Sequence, residues 1–375
     1  MKTEMQSVGE PVVLGATWVD IQGEVYGAQP DIRGPIGGGQ GYTNIVTRGD
    51  YTVSSPNELL AALGQAQPGQ VIFIPGDAVL DFTVPVYVEE LVIKIPAGVT
   101  LASDRGHAES KGALILSDTF KTCPLLKCMG LDIRISGIRL RGPDSDARLA
   151  LSRLCFERGR KQGDPDGFDH TYYYKFANSD GIQTNYAGLT VDTCEISGWS
   201  HAAIFLMAGD RHQVHHNSIH HNQRDGLGYG ICHDRAESLI EQNLFKCNRA
   251  SIDGSGVSGS GYEARHNVEL GQSPSPCHRF EIHGGTARKD GTTIAGSWLK
   301  IHHNTFRTHS QPIAISGVPE QEAIINNNWF HHYGPGSGSA QLTPVRAQGH
   351  TRVINNAYGP VGPQVLDETP AKPNP

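Results

Sequence analysis

Between residues 225 and 290 the chain gathers side chains that move protons and carry charge. Glu281 and His283 stand two residues apart in RFEIHGG, so on an extended strand they share a face, and His278 lies in the turn leading into it. A similar phrase, YGICHDRA, carries His233, with Tyr229, Arg249, Tyr262 and Arg265 near it in sequence. Imidazoles exchange protons near neutral pH, a phenol can protonate a leaving oxygen, and guanidinium groups neutralise carboxylates. That set suits proton removal next to a carboxylate, as in β-elimination from a uronic acid. There a cation neutralises the carboxylate, a base takes the C5 proton and an acid protonates the departing oxygen. The expected roles are His283 or His233 as base, Tyr229 as acid, and Arg249 with Arg265 as neutralisers, Glu281 and His278 standing beside them.

Binding residues are expected around this set. From 279 to 300, Arg279, Arg288, Lys289 and Lys300 outnumber Glu281 and Asp290, giving a locally basic wall. Tyr262 and Glu263 are placed beside it, and in the YYYK run Tyr173 and Lys175 offer a stacking platform for sugar faces. His278, Glu281 and His283 would also make a facial set for zinc, manganese or iron; a calcium ion on Asp or Glu oxygens is the preferred expectation for a cofactor. A hydrolase or transferase would instead need paired carboxylates about 5 to 10 Å apart, for which Glu263 with Glu281 is the pair to test. Gly254, Gly256 and Gly259 match a dinucleotide-binding fingerprint by letter, but no helical pattern follows them.

The elements that position these residues are set by an internal repeat. The phrases QVHHNSI, SLIEQNLF, YEARHNVEL, LKIHHNTF, AIINNNWF and RVINNAY each carry an Asn near the end of an alternating, β-prone run. Asn217, Asn243, Asn267, Asn304, Asn328 and Asn356 are spaced 26, 24, 37, 24 and 28 residues apart, so the long gap holds an insertion. A period near 25 with period-2 strands predicts coils of three short strands, each stacked on the next at about 4.8 Å, with the Asn hydrogen-bonded to its copy one coil away. The expected fold is all-β: a single-stranded right-handed parallel β-helix of about ten coils, with long loop insertions.

Residues 1–69 read as an N-terminal extension and cap, 70–358 as the β-helix with insertions at 143–187 and 284–293, and 359–375 as a C-terminal tail. PNELLAALGQA, 56–66, has helical spacing and is expected to cover the open first coil. Aligning the strands between the Asn phrases on their last apolar residue puts Phe205, Cys232, Asp253, Ile282 and Ile315 inward. It sends Leu206, His233, Gly254, His283 and Ser316 outward. His233 and His283 would then lie roughly 10 Å apart across a notch at Gly254, room for a sugar ring. The competing reading of these polar residues is a solvated β-helix surface. The column His215, Glu241, Arg265 and His302 reads as a structural ladder, and each HHN doublet offers one ligand at most, because neighbours on a strand point apart.

The coil phrases, with GQVIFIPGDAVLDFT and IPAGVTLAS, resemble the pectin-lyase-like superfamily of right-handed β-helix proteins over roughly residues 70–358. The resemblance implies a carbohydrate-active enzyme, foremost a polysaccharide lyase with a polysaccharide or oligosaccharide partner; a glycoside hydrolase or a non-catalytic glycan-binding stalk are the alternatives. The calcium-aspartate and arginine motifs of pectate lyases and the paired Asp of polygalacturonases are not matched, so no catalytic residue is carried over from them.

Composition agrees. Gly and Pro, 45 and 22 of 375 residues, favour a turn-rich chain. A net charge of −7 excludes a broad nucleic-acid-binding face, and no apolar run is long enough for a membrane helix. The seven Cys include no CxxC pair and read as free thiols. The first residues lack the apolar core of a signal peptide, which leaves either an intracellular protein or a trimmed secreted one. Oligomeric state is not expressed in the sequence.

Overall fold

The computed structural model describes residues 14–143, 150, 151, 153, 154, 157, 158, 177–274, 277–334, 343–360 and 364–366. The described chain winds as a right-handed parallel β-helix whose coils present three strand faces in turn. In one coil Ser218–His220 forms one face, and the long strand Tyr229–Glu241 supplies the other two before the chain returns to Asn243. Neighbouring coils pair in parallel register, Ile204 with Ile231, Val214 with Ile240, and Ile219 with Phe245.

Each face sends one apolar column inward. Ile182, Ile204, Ile231, Ile252, Phe280 and Ile313 form the first, and Val191, Val214, Ile240, Ala264, Ile301 and Ile325 the second. All twelve are fully buried. β-Branched side chains fit this stack because identical pleats superpose, and each contributes about 1.5–3 kcal/mol by leaving water. The third column runs Ile196, Ile219, Phe245, Glu269, Phe306 and Phe330. Glu269 is the exception: it is buried among aromatics, accepts from Ser251 and from the Gly271 amide, and burial pushes its carboxyl up.

The Asn beat is a continuous ladder. Each Nδ2 donates to the next Oδ1 at 3.0–3.1 Å, from Asn217 through Asn243, Asn267, Asn304 and Asn328 to Asn356. The residue before each rung, His216, Gln242, His266, His303, Asn327 and Asn355, is left-handed with φ of 52–57°. That conformation costs about 1–2 kcal/mol per non-glycine residue, which the ladder's hydrogen bonds offset. The 37-residue gap contains the excursion with the short helix Gly285–Arg288.

The helix Pro56–Leu63 closes the first coil as expected, with Ser55 as N-cap and Leu59, Ala62 and Leu63 buried. Before it, residues 16–44 run along the left-handed corner, across successive coils. Glu24 accepts from Asn327, Gln29 N–H donates to His266 Nδ1, Arg33 pairs with Glu241, Gly39 N–H donates to Thr193 Oγ1, and Tyr42 donates to Asp192. Gly38 has φ +65°, and a Cβ there would stand 2.1 Å from the His216 carbonyl oxygen, so only glycine fits.

One expected column is inverted in part: Ile282 and Ile315 are buried as expected, whereas Phe205, Cys232 and Asp253 lie on the outer face. Cys232 pairs with Asp253 and His233 with Gly254, while Ile252 pairs with Phe280. Asp253 is therefore level with Glu281, and Phe205, Cys232, Asp253 and Glu281 form the outer column, with Leu206, His233, Gly254 and Ile282 inside. Aligning on apolar residues failed because the outer surface carries its own apolar cluster, Ala202, Leu227, Tyr229, Cys232 and Ala250, packed with Phe205.

Candidate active site

The outer column leads to a cluster of ionisable groups beside the excursion. Asp253 and Glu281, on adjacent rungs, are 2% and 5% exposed. His283, whose side chain is 37% exposed, holds Nε2 at 3.4 Å from Asp253 Oδ1. One turn earlier His278 Nδ1 lies 3.1 Å from Glu281 Oε2 and 3.7 Å from Cys277 Sγ. Arg249 is held through its guanidinium on the Leu227 carbonyl and through its own carbonyl on the Cys277 amide.

The electrostatics follow from this packing. The Asp253 charge lifts His283 to about 9 against the opposing effect of burial. Hydrogen bonds that His278 makes to Cys277 and Glu281 lift it to about 9 as well. Burial alone would raise the Glu281 carboxyl, but the His278 hydrogen bond and the charges of His283 and Arg249 hold it below its usual value. Burial opposes ionisation of Cys277 too, and His278 with Arg249 overcomes it, leaving the thiol lowered. The cluster is thus an alternation of cations and anions in a half-dry wall, a setting in which charges act more strongly than in water.

Of the residues expected in the site, His278, Glu281, His283 and Arg249 come together and Tyr229 shares their wall; the others lie elsewhere. His233 is inside the coil, 1% exposed, stacked on Tyr262 at 5.4 Å with Nε2 at 2.6 Å from Ser238 Oγ. Burial holds it neutral, at about 4. The notch at Gly254 also faces inward, where a Cβ would meet Ile282 Cγ1 at 3.3 Å, so no sugar enters there. Tyr262 is core, 1% exposed. Tyr229 lies on the correct wall, but its hydroxyl donates to the Gly226 carbonyl at 2.9 Å and the residue is 7% exposed.

Arg265, Glu263 and Lys300 belong to the next face. Arg265 is bound to Glu241 at 2.8 Å and Glu263 at 3.0 Å, and Lys300 is registered with Glu263 and sits over the Trp298 ring. The Glu263–Glu281 pair is therefore not formed, and Glu263 and Arg265 line an open groove of about 620 Å³ together with Arg134, Arg211 and Trp298. Arg288 pins the excursion, donating to the Ser255 and Ile294 carbonyls and pairing with Asp290 at 2.7 Å, while Lys289 is exposed at the end of that short helix. Arg279 is a buried corner bolted to the Asn248 carbonyl rather than part of a basic wall. Tyr173 and Lys175 lie outside the described residues.

Four participants lie outside the expected set. Asp253 reads from the sequence as interior. Cys277 reads as a free thiol, although its place next to His278 is the available signal. Asp180, 1% exposed, and His201 form a further pair on this wall at 2.6 Å, next to Phe205 and Tyr229.

Residues 167–270 match the family described as right handed beta helix region. The chain has the right-handed parallel β-helix fold. Among solved structures, an alginate lyase from Paenibacillus sp. str. FPU-7 superposes with a TM-score of 0.51 at 13% identity, covering 83% of this chain and 95% of that one. Pectate lyase Pel9A gives 0.45 at 12% identity, over 84% and 80% of the two chains, and ORF18 of Geobacillus virus E2 gives 0.44 at 9%, over 91% and 67%. No curated protein matches the sequence of this β-helix.

Proposed function

We propose that this β-helix is a carbohydrate-active enzyme, a polysaccharide lyase that cleaves a uronate-containing polymer by β-elimination. The observation that carries this reading is a half-exposed imidazole, His283, anchored by the buried Asp253 on an outer wall that also holds Glu281, His278 and Arg249. Arg249 supplies the cation against which a substrate carboxylate is neutralised, making the C5 proton acidic. His283, oriented by Asp253 as a base is oriented by a third group, takes that proton in its neutral form, so on this reading turnover rises with pH toward about 9, where the imidazole loses its own proton. The C4–O bond breaks as the C4–C5 double bond forms. The same imidazole then returns the proton to the departing oxygen when both lie on one side of the ring, so the protein ends unchanged. The alginate lyase noted above shares this fold and is named for the same class of reaction.

A second reading rests on Asp253 and Glu281, whose oxygens stand within 4.8 Å of each other, near the spacing of a retaining glycosidase. It is weaker because such an enzyme needs one carboxyl held protonated, whereas Glu281 is lowered. A panel of acidic and neutral polysaccharides, followed both by the ultraviolet absorbance of unsaturated uronate and by reducing ends, tests the two. Absorbance rising with reducing ends is the expected result. Reducing ends alone would transfer the assignment to hydrolysis, and silence across the panel with retained glycan affinity would make the chain a binding protein.

A further inference from the structure

Cys277, His278 and Glu281 present one donor atom each to a common point. The Sγ–Nδ1, Nδ1–Oε2 and Sγ–Oε2 separations are 3.7, 3.1 and 3.8 Å. For tetrahedral zinc, bonds of about 2.0–2.1 Å to nitrogen or oxygen and about 2.3 Å to sulfur place neighbouring ligand atoms about 3.4 Å apart for N and O and about 3.6 Å for S and either. The triangle is close to one face of such a tetrahedron: the two sulfur edges would shorten by about 0.1–0.2 Å and the Nδ1–Oε2 edge would open by about 0.3 Å on binding.

A second observation points the same way. Asp253 is 2% exposed, yet its Oδ2 is buried with no hydrogen-bond partner among the described residues. A carboxylate oxygen stranded in this way costs about 1–3 kcal/mol or more unless a donor or cation meets it. Asp253, Glu281 and His283 form a second set of donors within 4.8 Å of one another, with Glu281 common to both sets.

We propose that Cys277, His278 and Glu281 bind a divalent transition ion of the zinc class, with the Asp253–His283 pair beside it. The donor chemistry selects the ion. Calcium takes six to eight oxygens, whereas thiolate, imidazole and carboxylate together suit zinc, cobalt or iron. Three protein ligands leave the fourth tetrahedral position for water or a substrate oxygen, the pattern of a catalytic rather than a structural site. When bound, the ion adds positive charge for a substrate carboxylate; the site itself does not depend on the lyase reading.

Full-length protein stripped with chelator and titrated with Co²⁺ tests this. One equivalent should bind with visible d–d bands and a near-ultraviolet thiolate-to-cobalt band, and Zn²⁺ should displace it. Cys277→Ser should abolish the near-ultraviolet band, and Glu281→Gln or His278→Ala should weaken binding at least tenfold. Zn²⁺ should also shield Cys277 of the unmutated protein from alkylation, read by mass spectrometry, which serves where a variant fails to fold. A thiolate band that survives Cys277→Ser, no cobalt spectrum at millimolar metal, or alkylation of Cys277 unaffected by Zn²⁺ would each overturn the proposal. Sugar cleavage enters none of these readouts, so loss of the lyase reading would leave them standing.

Discussion

Replacing Asn267 with alanine removes a central rung of the ladder. Its Oδ1 accepts from the Asn243 amide and the Asn243 Nδ2, both at 3.0 Å, and its Nδ2 donates to the Ile240 carbonyl at 2.9 Å and to Asn304 Oδ1 at 3.0 Å. All of these groups are buried, so four hydrogen bonds at about 1 kcal/mol each are lost. The stranded Asn243 N–H and Ile240 carbonyl add to this, while Asn304 Oδ1 keeps the Asn267 amide and Asn243 Nδ2 keeps the Val214 carbonyl. The expected loss is about 3–5 kcal/mol. Asn267→Asp should cost at least as much, because its second oxygen would face two acceptors. Asn326→Ala, outside the ladder and half-buried, should cost under about 0.5 kcal/mol. Equilibrium urea unfolding followed by far-ultraviolet circular dichroism, with an unchanged denaturant slope, measures these differences. A loss below about 1 kcal/mol for Asn267→Ala, or one equal to that of Asn326→Ala, would show that the left-handed corner is held by something other than the ladder.

The remaining predictions concern the site and the N-terminal run. His283→Asn should lower turnover by about 10²–10⁴-fold with little change in melting temperature, whereas His233→Ala should lower the melting temperature and leave turnover of the folded protein intact; the reverse pattern would return the base to His233. Arg249→Gln should raise KM for an acidic polymer in steady-state kinetics, and an unchanged KM would remove it from carboxylate recognition. Burial depresses His216, His266 and His303 to about 4, so the unfolded chain protonates first as pH falls. Stability should therefore be complete above the unfolded value near 6.5 and be lost between there and about 4. Because His266 Nδ1 accepts from Gln29, hydrogen exchange should show residues 28–34 opening in that window, and His266→Gln should flatten the response.

The architecture was readable because its signal is spatially forced: a side chain that must bond its own copy one coil away recurs in sequence at the coil length, and Asn217 to Asn356 do so. The site was half readable. His278, Glu281 and His283 share a short strand and its leading turn, so local spacing brought them together. Asp253 and His233 required the register between coils, and the neighbouring phrases differ in length and carry apolar residues on both surfaces, so alignment by hydrophobicity exchanged the two faces. Arg265 and Glu263 follow Asp253 by some ten residues, which in a three-faced coil is enough to turn a corner; nearness in sequence became separation in space. In the doublets His215–His216, His220–His221 and His302–His303 the second member is left-handed, and His216 packs against Tyr42 of the N-terminal run.

That run ties residues far apart in time of synthesis. Thr305, 288 residues after Thr17, donates to its carbonyl, and Tyr26 reaches Asn355 at 2.8 Å. An array of stacked coils ordinarily communicates only with its neighbours and can fray from either tip. Here a stretch translated before the coils completes its contacts only after the late rungs have been wound, so it acts as a clasp fastened late in assembly. Fraying at the late coils must first unfasten it, which converts a string of local equilibria into one long-range, slowly closing unit.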